Sequence, residues 1–202
     1  MTSPSVFPTL DALRGQLVST GTRDPAYVQK MFQAVPDMPI VTDRGKYLME
    51  KATGRVVLDI GCTGPISAAI RQVAKTYHGI DRTAGGDWLV VDLDHCPDEI
   101  PVYPGVDCII ASELLEHLAN PGVFLARLRE KYPGVETWIT VPQAGAYQVH
   151  AGTHEIVSGD HVAWYSYSTL KTLLGRYGYT IQHARWYNGQ PHKAEGLIVM
   201  VT

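Results

Sequence analysis

RVVLDIGCTGP, residues 55–65, decides the reading of this chain. RVVLDI (55–60) is a short apolar run rich in β-branched residues, which reads as a strand buried on both faces. Gly61 ends it, and a glycine there lets the backbone turn sharply and lets a ligand come close. Pro65 then stands at the first position of a helix, PISAAIRQVAK (65–75), where a missing N–H costs nothing. A strand, a glycine turn and a helix in that order are the start of an α/β sheet.

The same alternation continues outward. TYHGID (76–81), DWLVVD (87–92) and VDCIIAS (106–112) read as further strands, and PGVFLARLREKY (121–132) as a helix. VETWITVP (135–142) is the next strand, and SYSTLKTLLGRYGY (166–179) a helix capped by Ser166 or Ser168, with Gly178 near its end. YTIQHARW (179–186) and AEGLIVMVT (194–202) close the pattern as two strands around a turn at NGQP (188–191). Strands alternating with helices imply a mostly parallel, doubly wound sheet covered on both faces. Two strands joined by a short turn must be antiparallel. The expected fold is therefore a Rossmann-like α/β sheet of seven strands with a C-terminal antiparallel hairpin.

Working toward the N-terminus, the first fifty residues read as helical. Thr9 can cap a helix carrying Leu10, Leu13, Leu17 and Val18; Asp24–Pro25 opens a second, stopped by PDMP (36–39); Thr42 opens a third through Lys51, ended by Gly54. Residues 1–52 are expected to form a helical cover and residues 53–202 the core, with a substrate-loop insertion at 143–167. Tyr27, Met31, Phe32 and Tyr47 are candidates to shield the crevice, or simply to pack on the sheet.

Composition narrows the function classes. The chain has 202 residues, 45% of them hydrophobic, with 17 Lys+Arg against 20 Asp+Glu and a net charge of −3. That balance argues against a phosphate-backbone binder, so nucleic acid is not the expected partner. Three widely spaced cysteines, Cys62, Cys96 and Cys108, suit a reducing compartment. No apolar run has the length of a membrane span, and the first residues lack a secretory pattern, so a cytoplasmic protein is expected.

In such sheets ligands bind beyond the carboxyl ends of the strands, where strand order reverses. Asp81 ends the second strand, 22 positions after Asp59, about where an acid grips both hydroxyls of an adenosine ribose. The pyrophosphate pattern GxGxxG is absent, Pro65 removes a donor from the helix start, and there is no GxxxxGK[ST] loop. Instead Asp59, Asp81, Asp92 and Asp94 crowd the strand ends, which repels phosphate and welcomes a cation. S-adenosylmethionine is an adenosine compound with a sulfonium, an α-amino group and no phosphate.

The ordered set VVLDIGCTGP, YHGIDR, VVDLD and VDCIIASELLEHLANP resembles the class I S-adenosylmethionine-dependent methyltransferases, over about residues 42–202. Its style is nearest the small-molecule, type 11-like branch, whose fourth strand leads into an E-x-L-E-H-L segment. The resemblance implies that Asp59, Gly61, Cys62 and Gly64 line the methionine moiety. It implies that Asp81 binds the ribose, that Ile80 and Arg82 flank the adenine, and that Asp92 and the Leu93 amide meet its edge. Ser112 and Glu113 fall beside the methionine and the entering acceptor. The family's usual G-x-G-x-G loop is here GCTGP, a departure in the turn that holds the methionine tail.

Each assignment has a plainer rival. Asp81 can be a solvated turn acid, Asp94 can take the contact given to Asp92, Cys62 can simply pack, and Gly64 can serve only close passage into the helix. His117, four residues after Glu113, can be a base or can brace the following helix. The stretch QAGAYQVHAGTHEIVSGDHVAWYSY (143–167) brings Tyr147, His150, His154, Glu155, Asp160, His161, Trp164 and Tyr165 to the ligand end of the sheet. His154 is the first choice to take a proton from an acceptor and His117 the second, while His161 and Trp164 can equally be core. The spacing of His154, Glu155 and His161 matches no strong metal pattern, and no metal is expected.

The expected activity is methyl transfer to an O or N atom of a small-molecule acceptor. ASELLE follows the fourth strand in place of a [DN]PP[YF] signature, which counts against nucleobase modification. The alternatives are a non-catalytic cofactor-fold protein acting as a binding or regulatory partner, and a nicotinamide-dependent oxidoreductase, against which the missing GxGxxG counts.

Overall fold

The structure, a computed structural model, describes residues 38–143, 160–188 and 196–202. The two helices expected before residue 36, with Tyr27, Met31 and Phe32, lie outside the described residues, as does most of the 143–167 insertion including His154.

Among the described residues the chain runs β1 (Ile40–Val41), α1 (Arg44–Ala52), β2 (Val56–Ile60), α2 (Pro65–Val73), β3 (Thr76–Asp81), β4 (Leu89–Val90) and β5 (Cys108–Ser112). Then follow α3 (Pro121–Lys131), β6 (Glu136–Pro142), α4 (Tyr167–Arg176), β7 (Ile181–Tyr187) and β8 (Gly196–Val201). The strands form one sheet in the order β1-β7-β8-β6-β5-β2-β3-β4. All pairings are parallel except those of β8, which runs antiparallel to both β6 and β7. The doubly wound sheet and the C-terminal antiparallel hairpin are as the alternation of elements implies.

Among the described residues eight strands stand where seven were expected. The addition is β1, two residues paired with Trp186 and Tyr187 of β7. Two residues are too few to carry a period-2 signal, so no strand is read there from the sequence. Conversely, DWLVVD yields only Leu89–Val90 as strand, both exposed, at the edge of the sheet with no strand beyond it among the described residues.

Local chemistry places the helix ends. Asp43 caps α1 by accepting from the Lys46 N–H at 2.9 Å, Pro65 opens α2, and Ser166 and Thr169 close a reciprocal capping box on α4. Alternate residues of the central strands feed two cores. Leu58, Ile109, Ala111 and Ile139 pack with Phe124, Leu128, Leu170 and Leu174 of α3 and α4. Val57, Cys108, Ile110 and Trp138 pack with Leu48 and Ala52 of α1 and Ile70 of α2 on the opposite face. Each fully buried aliphatic chain contributes about 1.5–3 kcal/mol, which fixes the register and with it the strand ends. Tyr47 belongs to this second layer: its ring meets Trp138 edge-on at 5.6 Å and its hydroxyl accepts from Arg185 Nε at 2.9 Å. It packs on the sheet and does not line the crevice.

Candidate functional site

Strand order reverses at β2, which has β3 on one side and β5 on the other. Beyond the carboxyl ends of these strands lies a cavity of about 240 Å³. Gly61, Asp81, Arg82, Asp92, Leu93, Glu113 and His117 line it, so one site gathers seven of the residues singled out from the sequence. Val91, Leu114 and Leu118 add apolar wall, and Asp94 and Asp160 add two carboxylates.

Gly61 turns the chain with φ +79°, and its N–H donates to the Ile80 carbonyl at 2.9 Å. An L side chain there would be strained, and its Cβ would sit 3.4 Å from Leu114 Cδ1. Gly64 is different. It caps α2 at φ −91°, and a Cβ on it would meet nothing within 4 Å, so close passage into the helix is not what this position requires.

Asp59 is 1% exposed and does not line the cavity, though Gly61 two residues on does. Its Oδ2 accepts from the Tyr77 hydroxyl at 2.8 Å, and Ser67 also bonds to it. Burial raises its pKa to about 6 against the opposing pull of those hydrogen bonds. Cys62 is buried, its thiol pushed up to about 11 by burial and then by Asp59 and Asp81. Such a thiol is inert, and it packs against Gly79, where a Cβ would come within 2.8 Å of the sulfur. Ile80 is fully buried in the first core and does not line the cavity; Val91 and Leu93 supply the apolar wall instead.

Asp81 ends β3 at 8% exposure, with Oδ1 accepting from the Thr83 N–H at 2.8 Å and the carboxylate facing the cavity. Asp92 is committed to its own turn. Its Oδ1 accepts from the N–H groups of Asp94 and His95, and its Oδ2 sits 2.8 Å from His95 Nδ1. The His95 hydrogen bond is the main cause of its lowered pKa. Asp94 Oδ1 accepts from the Ala119 N–H at 2.8 Å, tying the β4 side of the rim to the segment after β5.

Glu113 begins that segment with φ +52°, an uncommon conformation for a residue with a side chain. Its Oε1 takes the Thr140 hydroxyl at 2.8 Å, the Tyr187 hydroxyl at 3.0 Å and the Arg44 guanidinium at 2.8 Å. Ser112 Oγ lies 3.0 Å from the same Thr140 hydroxyl and braces the corner from behind. Arg44 and Tyr187 were not read as site residues from sequence. Nothing in the spacing joins positions 44, 113 and 187.

Glu116 follows in a short 3₁₀ turn (Leu115–His117) and is 1% exposed. Neither of its carboxyl oxygens has a hydrogen-bond partner, and burial pushes its pKa up to about 8. The Val162 and Ala163 N–H groups both donate to its carbonyl, at 2.8 and 3.2 Å. That pairing brings His161 to His117, with ring centroids 4.6 Å apart. His117 Nδ1 lies 3.2 Å from Asp160 Oδ2, and His161 also meets Trp164 at 5.4 Å.

The cavity suits the expected cofactor. Asp81, Asp92, Asp94 and Asp160 outweigh Arg82 among its lining charges, while Glu113 is neutralised by Arg44. A cationic, phosphate-free adenosine compound fits that balance and an anionic pyrophosphate does not. The apolar wall of Val91, Leu93 and Leu118 beside Asp81 suits a purine joined to a ribose.

Comparison with known proteins agrees. No curated protein is a significant sequence match. Among solved structures, an S-adenosylmethionine-dependent methyltransferase from Mesorhizobium loti aligns with TM-score 0.57 at 15% identity, over 78% of this chain and 94% of its own. The small RNA methyltransferase HEN1 aligns with TM-score 0.64 at 12% identity, over 78% of this chain and 24% of its own. A 1,6-didemethyltoxoflavin-N1-methyltransferase from Burkholderia thailandensis, with bound 1,6-didemethyltoxoflavin and S-adenosylhomocysteine, aligns with TM-score 0.58 at 16% identity, over 100% of this chain and 92% of its own. At such identities these likenesses show a shared fold. The methyltransferase-domain family matches residues 30–184, and the chain therefore belongs to that family and is a class I S-adenosylmethionine-dependent methyltransferase.

Proposed function

We propose that this enzyme transfers a methyl group to an O or N atom of a small-molecule acceptor. The observation that carries the reading is the acidic, partly apolar cavity at the point where strand order reverses, closed on one side by Asp81 and on the other by Glu113. When bound, the cofactor supplies a methyl group already activated on a sulfonium.

The chain's task is then to bind, align and keep water out. Asp81 takes the ribose hydroxyls, with its carboxylate already fixed by Thr83. Val91, Leu93 and Arg82 enclose the purine, and Asp92 meets its edge. Gly61 presents backbone to the methionine end, with Asp59 as a buried acid beneath it and Cys62, Gly64 and Ser112 as support around the turn. Glu113 is held still by Arg44, Tyr187 and Thr140 at the place where the acceptor enters. His117 lines the same cavity. With one ring nitrogen against Asp160, it has the other free to take an acceptor proton or a metal ion.

The Burkholderia thailandensis relative, named for N-methylation of a small heterocycle, supports a small acceptor here because it aligns over the whole chain. The three cysteines form no disulfide in the structure, which supports a cytoplasmic location. Among the described residues no helix is long and apolar enough to cross a membrane. Titration calorimetry with S-adenosylmethionine and S-adenosylhomocysteine tests the cofactor site. Methyl transfer to a panel of phenols, amines, heterocycles and short RNAs tests the acceptor class. Turnover confined to RNA would overturn the small-molecule reading.

A further inference from the structure

At the rim of the cavity, Glu116, His117 and His161 each present one ligand atom, and the three atoms lie within 4.8 Å of one another. Glu116 is 1% exposed with both carboxyl oxygens bare, and His161 Nδ1 is likewise buried without a partner. Buried polar atoms almost always find partners, so two side chains unpartnered in one place call for an explanation. We propose that Glu116, His117 and His161 form a binding site for a divalent transition-metal ion at the edge of the cofactor cavity.

The surroundings are built for it. Both backbone bonds from Val162 and Ala163 to the Glu116 carbonyl lock the segment that carries His161 onto the turn that carries the other two ligands. Asp160 Oδ2 stands 3.2 Å from His117 Nδ1, the carboxylate–imidazole arrangement that orients metal-binding histidines and raises their basicity. The rings of His117 and His161 meet at 84°, so the two imidazoles approach the shared space from different directions. Ligand atoms around an ion with bonds near 2.1 Å stand about 3–3.5 Å apart, so modest rotamer adjustments close the set. Two imidazoles and one carboxylate suit zinc, manganese, iron(II) or cobalt better than magnesium or calcium, which favour all-oxygen shells. Three protein ligands leave at least one coordination position open. Because His117 also lines the cofactor cavity, the ion would sit at that cavity's edge.

The proposal does not depend on methyl transfer, and it is tested without the cofactor. Full-length protein is stripped with a chelator, then titrated separately with zinc chloride and manganese chloride, and binding is read by calorimetry and by the thermal unfolding midpoint. One ion per chain should bind for at least one metal, with a rise in the midpoint. Cobalt chloride should give a visible ligand-field spectrum. Glu116→Gln, which keeps the shape, and His161→Ala should each weaken binding by about 10-fold or more. His183→Ala, on the exposed face of β7, should bind as the parent does. If His161→Ala fails to fold, His161→Gln replaces it. The idea is overturned if the parent binds neither zinc nor manganese at about 100 µM with no midpoint shift, or if Glu116→Gln and the His161 variant bind both ions as the parent does. S-adenosylmethionine binding by the stripped protein is measured in parallel, so loss of one site is not mistaken for loss of the other.

Discussion

The Arg44 guanidinium lies 2.8 Å from the Glu113 carboxylate, tying the first turn of α1 to the left-handed corner that follows β5. Both side chains are about three-quarters buried, at 22% and 26% exposure, and the Tyr187 hydroxyl bridges them, 3.2 Å from Arg44 Nη1 and 3.0 Å from Glu113 Oε1. A helix outside the strand-end motifs thus holds a residue that lines the strand-end cavity in place.

Breaking this contact should therefore act on both stability and binding. Arg44→Ala leaves Glu113 without its counter-charge and should cost about 1–3 kcal/mol in urea unfolding. Glu113→Ala loses the same network and keeps the strained backbone, whereas Glu113→Gly relieves the strain. Glu113→Gly should therefore be more stable than Glu113→Ala by about 1 kcal/mol. Equal stabilities would show that the φ of +52° carries no strain.

The two acids given to the adenosine should differ. Asp81 is nearly buried with one oxygen committed, while both oxygens of Asp92 are spent on its own turn. Asp81→Ala should weaken S-adenosylhomocysteine binding by about 10- to 100-fold in calorimetry, the loss of one or two charge-assisted hydrogen bonds. Asp92→Ala should weaken it less. An Asp92 effect equal to or above that of Asp81 would reverse the assignment.

Gly61 and Gly64 offer a matched pair within one loop. Gly61→Ala places a Cβ at φ +79° and should cost about 1–2 kcal/mol of stability together with cofactor affinity. Gly64→Ala sits at φ −91° with open space around it and should change stability by less than about 0.5 kcal/mol. Thermal unfolding of the two variants decides this, and it also decides how far the GCTGP turn tolerates change.

The readable parts of the fold are those encoded locally. Four apolar residues among the five positions before Gly61 and a proline at the next helix start are enough to place β2, its turn and α2. Asp81 follows from its distance along the chain. What escaped was set by long-range contact or by which face of a strand a residue occupies. Ile80 and Val91 are both apolar, both buried in the same core and both flank Asp81 or Asp92, yet only Val91 also borders the cavity. His161 meets Glu116 only because Val162 and Ala163 pair with a turn more than forty positions earlier, which no spacing rule reaches. Arg44 and Tyr187 converge on Glu113 from opposite ends of the chain for the same reason.

Asp59 should give the protein a measurable pH signature. Its ordinary value of 3.8 is raised to about 6, chiefly because burial disfavours the charged form. Between those two values the folded state holds a proton that the unfolded chain has released. The stabilisation is therefore fully present below about pH 4, falls as pH rises toward 6, and is gone above it. At about 1.36 kcal/mol per pH unit separating the two values, the loss is about 3 kcal/mol. Asp59→Asn keeps an oxygen to accept from Tyr77 and carries no charge, so it should lack this component. Urea unfolding of parent and variant at pH 4 and pH 7 isolates it, since every other titrating group is common to both. The parent should lose about 2.4 kcal/mol more than the variant across that interval, because part of the loss already falls below pH 4. Parallel losses would mean that Asp59 ionises in the fold as it does in water.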